Sequence, residues 1–377
     1  MRYVITNADD AILFYVSLCG AVENRRGFNP LEDMGIKYEY YKDRKNFLIS
    51  KGFLNGRKKG VLKIGEKGRE RLAGISPEIP LICEMNPLKR GEEYAERNIL
   101  RGKVTGELLK SGADINFLNF TKKDNNFGKL KPEERLPEGR EVFGGGEITA
   151  RRLFEGLGEE ACYITAGTVK SSDPLFAAGN ESFRISSAAG IYCRKGVLYG
   201  VYAPSDIKRR ISRTAESKFL ERLSTYRQWA YGKEARYEAS SREAVIITEN
   251  IRLRDILSEG KGFILPRILL KCFIIDLKHM ELPLRIITSK GYREKLKALI
   301  YGKEAKEKED GTAGGIPSYE FLSCEFKKLE EIRKRPGPVH IICYPHQKEQ
   351  IKECLLGKET EFFTVGDELC EKLRQRF

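Results

Sequence analysis

Apolar positions along the chain change period several times, and the changes mark out its elements. From residue 8 to 22 they recur at helical spacing through Ala11-Ile12-Leu13-Phe14-Tyr15-Val16-Ser17-Leu18 and end at Gly20. Gly27-Phe28-Asn29-Pro30 then punctuates the chain before a short second helix, Leu31 to Met34. A third helix is predicted from Lys37 to Ser50, with Tyr38, Tyr41, Leu48 and Ile49 as its apolar positions. Gly52-Phe53-Leu54 leads to a turn at Asn55-Gly56-Arg57-Lys58-Lys59-Gly60, a strand at Val61-Leu62-Lys63-Ile64 and a helix opening near Glu66.

Residues 77 to 120 form a connector, with helical periodicity from Asn98 to Lys110 and a stop at Ser111-Gly112. Residues 121 to 146 carry glycine, proline and charge without periodicity and are predicted to be a long loop and a domain boundary. From residue 147 strand and helix patterns alternate. A helix over 147–160 precedes a strand at 163–165, a hairpin of strands 182–192 and 197–202, a helix over 207–229 and a strand at 244–248. Beyond these come strands near 263–267, 272–277, 283–288, 319–326, 339–344 and 361–364. Helices around 291–301, 327–334, 346–356 and 366–376 separate them. The expected class is α/β in layers, α+β overall, divided as 1–76, 77–146, 147–260 and 261–377.

Charge narrows the choice of partner. Lys and Arg total 68 against 54 Asp and Glu, a formal net charge of +14. That excess concentrates polyanions around the molecule and suits nucleic acid and an anionic membrane surface alike. No apolar run reaches the ~18 residues of a transmembrane helix, and Asp9 and Asp10 interrupt the N-terminal segment before an apolar signal core. A cytoplasmic protein without a membrane partner is expected. Nine cysteines, an odd number with no C-x-x-C pair, fit neither a disulfide framework nor a zinc ribbon and read as small hydrophobes. His279, His340 and His346 are too few for a histidine-rich metal site, and the last two are expected on the surface beyond either end of a short strand.

The order of three helices, a basic hairpin and a closing helix resembles the winged helix-turn-helix. The runs Leu48-Ile49-Ser50-Lys51-Gly52-Phe53-Leu54 and Leu62-Lys63-Ile64-Gly65-Glu66-Lys67-Gly68-Arg69-Glu70-Arg71-Leu72 are similar to its third helix, wing and closing helix. Gly65 stands where threonine is usual. The resemblance implies DNA as partner. The third helix, with Tyr38, Lys42, Arg44 and Lys45, would enter the major groove, while the wing, Arg57, Lys58 and Lys59, would reach adjacent phosphates. Residues 1 to 76 hold 15 Lys and Arg against 9 Asp and Glu. Winged helices also serve as protein-interaction modules, and a solvated helix face with an ordinary hairpin would show the same pattern.

A second resemblance spans most of residues 1 to 230. Tyr163-Ile164-Thr165-Ala166-Gly167-Thr168-Val169-Lys170, Ser186-Ser187-Ala188-Ala189-Gly190-Ile191, Val201-Tyr202 and Glu216 resemble motifs of the replication-relaxation proteins and the C-class conjugative relaxases of mobile genetic elements. That resemblance implies a restriction-endonuclease-like α/β domain after the winged helix and nicking of plasmid or conjugative-element DNA during relaxation or replication initiation. Residues 261–377 add little to it and are expected, from their alternating pattern, as an α/β C-terminal extension. The resemblance also implies a divalent metal, Mg or Mn, held by carboxylates, with Lys170 beside the scissile phosphate. Asp206 and Glu216 as the ligands of that metal come from spacing and not from the resemblance. Gly167 replaces the motif's glutamate and Ser187 its arginine, and both changes remove charge from the site.

The spacing of Pro204-Ser205-Asp206 and Glu216-Ser217-Lys218 matches a restriction-type nuclease motif. Such motifs place the second carboxylate and the lysine on a strand, where alternate residues share a face. Here Ser212 to Tyr226 has helical spacing, which separates residues two apart. The competing expectation is that Asp206 caps a helix and Glu216 and Lys218 are exposed. Lys208, Arg209 and Arg210 in the first turn oppose the helix dipole, and a bound polyanion would relieve that cost. Two functions follow: a DNA-processing protein that nicks, or a non-enzymatic DNA-binding regulator whose α/β half dimerises or senses a ligand. Other mobile-element proteins are expected partners on the first reading, and a homodimer fits either.

Overall fold

The structure of the protein, a computed structural model, describes residues 5–32, 36–57, 60–75, 92–110, 162–165, 188–194, 197–203, 214, 216–220, 223, 243–248, 271–289, 296, 298–300, 312–313 and 316–376. Over these residues it is a mixed α/β protein with three sheets. Helix α1 (Asn7–Cys19) starts at a reciprocal cap. The Asp9 backbone N–H donates to Thr6 Oγ1 at 3.3 Å, and the Thr6 backbone N–H donates to Asp9 Oδ2 at 2.7 Å. It ends where Gly20, at φ 71°, turns the chain and donates to the Ser17 carbonyl. The helix therefore stops short of residue 22, and Val22–Glu23 become strand β1.

From Asp9 to Cys19 every residue of α1 is buried, as a helix apolar on all sides requires. Helices α2 (Tyr38–Ser50), α3 (Glu66–Ile75) and α4 (Glu92–Lys110) and strand β3 (Val61–Ile64) pack around it. Strand β2 (Leu54–Arg57) completes an antiparallel sheet in the order β1-β3-β2, with Leu54 opposite Ile64 and Val22 opposite Leu62. The short helix expected at Leu31–Met34 begins as a turn at Leu31, and residues 33–35 lie outside the described residues.

Helix α4 joins this module to the second sheet. Leu100, Val104 and Leu108 sit in a core with Tyr163, Val201 and Phe273. Gly102 and Gly106, also buried, approach β1 and α1 instead: a Cβ at Gly102 would strike the Ala21 carbonyl oxygen, and one at Gly106 the Tyr15 hydroxyl. Only glycine permits that approach. Arg101 Nη2 donates to the Ala188 carbonyl at 2.9 Å, and Lys103 lies 3.8 Å from Glu23.

The second sheet runs β4 (Cys162–Thr165), β5 (Ala188–Arg194), β6 (Val197–Tyr202), β7 (Glu243–Thr248) and β8 (Lys271–Asp276), antiparallel through β6 and parallel from β6 to β8. Its strands read as continuous apolar runs because both faces are covered. Ala244, Ile246, Cys272 and Ile274 share one core with Phe219, Leu220 and Leu223, and Val245, Ile247, Phe273 and Ile275 face the other. The third sheet is parallel over β10 (Ile316–Glu320), β11 (Val339–Cys343) and β12 (Thr360–Thr364), with β9 (Thr312–Ala313) antiparallel at its edge.

Two further segments differ from expectation. The run Leu282-Pro283-Leu284-Arg285-Ile286-Ile287, expected as a strand at 283–288, forms helix α5 (Glu281–Ile287). A short apolar run does not distinguish a buried strand from a buried helix, and a proline in the first turn costs a helix no hydrogen bond. The strand expected at 319–326 ends at Glu320, and a turn follows in which Cys324 takes φ 46°. Helices α6 (Phe326–Lys334), α7 (Pro345–Cys354) and α8 (Asp367–Arg376) fall where their periodicity predicts. The predicted elements at 147–160 and 263–267 lie outside the described residues, as do most of 207–229 and 291–301.

Candidate nucleic-acid interface

Helix α2 follows a hairpin-sheet plan that would present its polar side outward, but packing has committed most of its cations. Arg44 donates from Nε and Nη2 to the two oxygens of Asp9, at 2.8 and 2.5 Å, while its guanidinium lies 4.5 Å from the centre of the Phe47 ring. The Asp9 side chain is fully buried and that of Arg44 is 15% exposed. Lys45 is also buried, its ammonium 5.5 Å from the Tyr41 ring, and loss of water lowers its pKa. Tyr38 accepts the Gly27 backbone N–H at 2.8 Å and thereby fixes the loop that precedes the helix.

Of the four α2 residues expected to meet DNA, Lys42 alone is exposed, and it pairs with Glu39 at 3.0 Å. That hydrogen bond raises the Lys42 pKa. Arg44 and Lys45 are therefore parts of the fold and not groove-facing side chains. A second bidentate pair joins Arg71 of α3 to Asp10, at 2.9 and 2.8 Å, and holds the Arg71 pKa up. Together Asp9 and Asp10 fasten α1 to α2 and α3. Sequence reasoning used these acids only to exclude a signal peptide. Two adjacent acids opening an otherwise apolar helix, in a module rich in arginine, were the available signal.

Between β2 and β3 the described backbone ends at Arg57 and resumes at Gly60, whose φ of 74° suits a tight turn. Lys58 and Lys59 lie outside the described residues, as do Lys208, Arg209 and Arg210. Two arginines that the sequence analysis did not select stand beside the β2–β3 connection. The Asn24 backbone N–H donates to the Gly60 carbonyl at 2.7 Å, and Arg25 and Arg26 follow, both exposed. Arg25 lies 3.5 Å from Glu23 and 5.5 Å from the Phe28 ring centre. Their signal was a pair of arginines directly before Gly27, in the loop leading to α2.

The expected nuclease site gathers differently. Asp206 and Lys170 lie outside the described residues. Glu216 is helical, as predicted, but is fully buried and not exposed. It shares one helix face with Phe219, Leu220 and Leu223, at the spacing i, i+3, i+4, i+7, and that face packs on the second sheet. Burial, followed by the nearby Glu216 charge, pushes the Tyr202 hydroxyl well above its ordinary pKa. A carboxylate enclosed in this way does not fit a metal ligand that must also meet DNA. Among the described residues no three His, Cys, Asp or Glu side chains converge as a metal site.

Of the two histidines expected on the surface beyond either end of the strand, His346 is exposed there and His340 departs. His340 lies within β11, with Nε2 2.9 Å from Glu361 on β12. His346, in the first turn of α7, stacks on His279 at 4.4 Å and on Tyr344 at 5.3 Å between ring centres. Among the described residues no helix is long and apolar enough to cross a membrane. No protein family matches this chain, and no curated protein or solved structure compared with it is similar.

Proposed function

We propose that the chain is a DNA-binding protein of a plasmid or conjugative element, acting in DNA relaxation or replication initiation through an N-terminal winged helix-turn-helix. The observation that carries this reading is the order α1, β1, α2, β2, β3, α3 with its sheet in the order β1-β3-β2, in a module with six more basic than acidic residues (15 against 9). A hairpin with the sequence Arg57-Lys58-Lys59-Gly60 placed beside a helix suits a duplex, whose two phosphate strands flank each groove.

The second reading, a non-enzymatic DNA-binding regulator or accessory factor with an α/β half for dimerisation or sensing, gains a specific support. Glu216 is enclosed against the sheet, and Gly167 and Ser187 remove further charge from the candidate nuclease site. On the first reading the chain also nicks DNA with Mg or Mn, and these features weigh against that step. Fluorescence anisotropy of the full chain with a labelled duplex tests DNA binding, with weakening expected as salt rises. Incubation with supercoiled plasmid and Mg or Mn separates the two readings: open-circular product supports the nuclease, and unchanged supercoils support the accessory factor.

A further inference from the structure

We infer that the surface meeting DNA is the edge formed by Arg25 and Arg26 beside the β2–β3 turn, and that it binds phosphates while the polar side of α2 contributes little. This rests on the proposed DNA-binding reading and assigns the contact to residues outside the helix that the fold type would suggest. The exposed charges within α2 are Glu39, Lys42 and Asp43, two acids and one lysine, with Lys42 already held by Glu39. Duplex DNA carries one negative charge for about every 1.7 Å of its axis. A helix face with a net negative charge gains nothing from entering between two phosphate strands.

The neighbouring edge has the opposite character. The Arg25 side chain is 65% exposed, and Arg26 is exposed as well. Both are held in place at two points: Asn24 by its hydrogen bond to Gly60, and Gly27, at φ 79°, by its hydrogen bond to Tyr38 at the start of α2. The two guanidiniums thus project from a backbone tied to the turn on one side and to the first residue of α2 on the other. Lys37, exposed immediately before that residue, adds a third cation. Glu23 lies 3.5 Å from Arg25 and 3.8 Å from Lys103, so it is shared between two cations. Arginine forks match phosphate oxygens, and anchoring the loop in advance reduces the ordering cost of contact.

The test is the salt dependence of duplex binding by the full chain. Each phosphate contact contributes about 0.9 to the slope of log affinity against log salt. The double variant R25Q/R26Q is expected to lower that slope by about 1.8 and to weaken binding by roughly tenfold or more near 0.1 M salt. K42A/N46A, on the exposed side of α2, is expected to change affinity by less than about threefold. All four side chains are on the surface, and an unchanged thermal midpoint verifies that each variant folds. If K42A/N46A abolishes binding while R25Q/R26Q keeps the wild-type slope, this inference fails and the DNA-binding reading stands. Absence of duplex binding by the wild-type chain would overturn both. So would tighter binding to phosphatidylglycerol vesicles than to duplex.

Discussion

Helix α1 and the third sheet both bury carboxylates, but they satisfy them over very different distances along the chain. Asp9 and Asp10 are matched by Arg44 and Arg71, 35 and 61 residues away, on two other helices. Glu320, at the end of β10 and 2% exposed, is matched three residues on, by the Ser323 backbone N–H at 2.6 Å and hydroxyl at 3.0 Å. The third sheet solves a local problem locally and leaves its architecture to apolar packing across parallel strands. The N-terminal module uses charge to fix how its helices cross, and Arg44, 15% exposed, is largely withdrawn from any external partner, while Arg71 stays 41% exposed. Net charge counted along a sequence therefore overstates the charge a surface presents.

Removing a partner on each side breaks the comparison most directly. Arg44→Ala leaves the Asp9 carboxylate buried with Thr6 as its remaining donor, and loss of one member of a buried pair costs about 3–5 kcal/mol. Amide hydrogen exchange on the full chain should show lost protection across α1 and α2, with β11 little changed. Ser323→Ala removes one of two hydrogen bonds to Glu320 and is expected to cost about 1.5–3 kcal/mol. Its lost protection should centre on β10 and the turn that follows. Equal loss throughout the molecule from either variant would show that the two regions unfold as one unit and that the distinction has no energetic consequence.

How far the sequence foretold this structure depends on the distance over which each feature is determined. Helix α2, strand β3 and helix α6 lie close to their predicted bounds because each has a clear period, as in Phe326, Leu329 and Ile332 of α6, all buried. Helix α5 was unreadable as a helix since six nearly continuous apolar residues carry no period. The pairing of Asp9 with Arg44 and of Asp10 with Arg71 depends on tertiary placement, which no local pattern encodes. Glu216 lies between these cases. Its spacing to Phe219, Leu220 and Leu223 places it on the apolar face, while its charge and its spacing from Asp206 in the sequence also fit a carboxylate pair.

The join between the regions can be loosened separately. Gly102→Ala brings a methyl group against the Ala21 carbonyl, a backbone atom that cannot move without shifting β1. Overpacking of this kind costs about 1–3 kcal/mol. The expected result is a lower urea midpoint, with early exposure of α4 and β1 in hydrogen exchange. The Asp9–Arg44 and Asp10–Arg71 pairs should hold α1, α2 and α3 together. If α1 loses protection as fully as it does in Arg44→Ala, α4 is an integral part of the N-terminal module and not a bridge to the second sheet.

The smallest expected effect is on the other side of the comparison, where charge in the third sheet's neighbourhood depends on pH. His346 is on the surface, but the rings stacked on it displace enough water to lower its pKa. Repulsion from His279 adds to that shift, and Asp276 opposes it. Its folded-state pKa therefore lies below the ordinary 6.5, so the unfolded chain binds this proton more readily. Stability should then rise with pH between the lowered value and 6.5, and the penalty should be complete below the lowered value. In His346→Gln that increment should disappear, seen as a flatter plot of urea midpoint against pH from 5 to 7. A wild-type midpoint that instead rises as pH falls through this window would mean that Asp276 outweighs burial and His279. The stack would then be a stabilising cationic site.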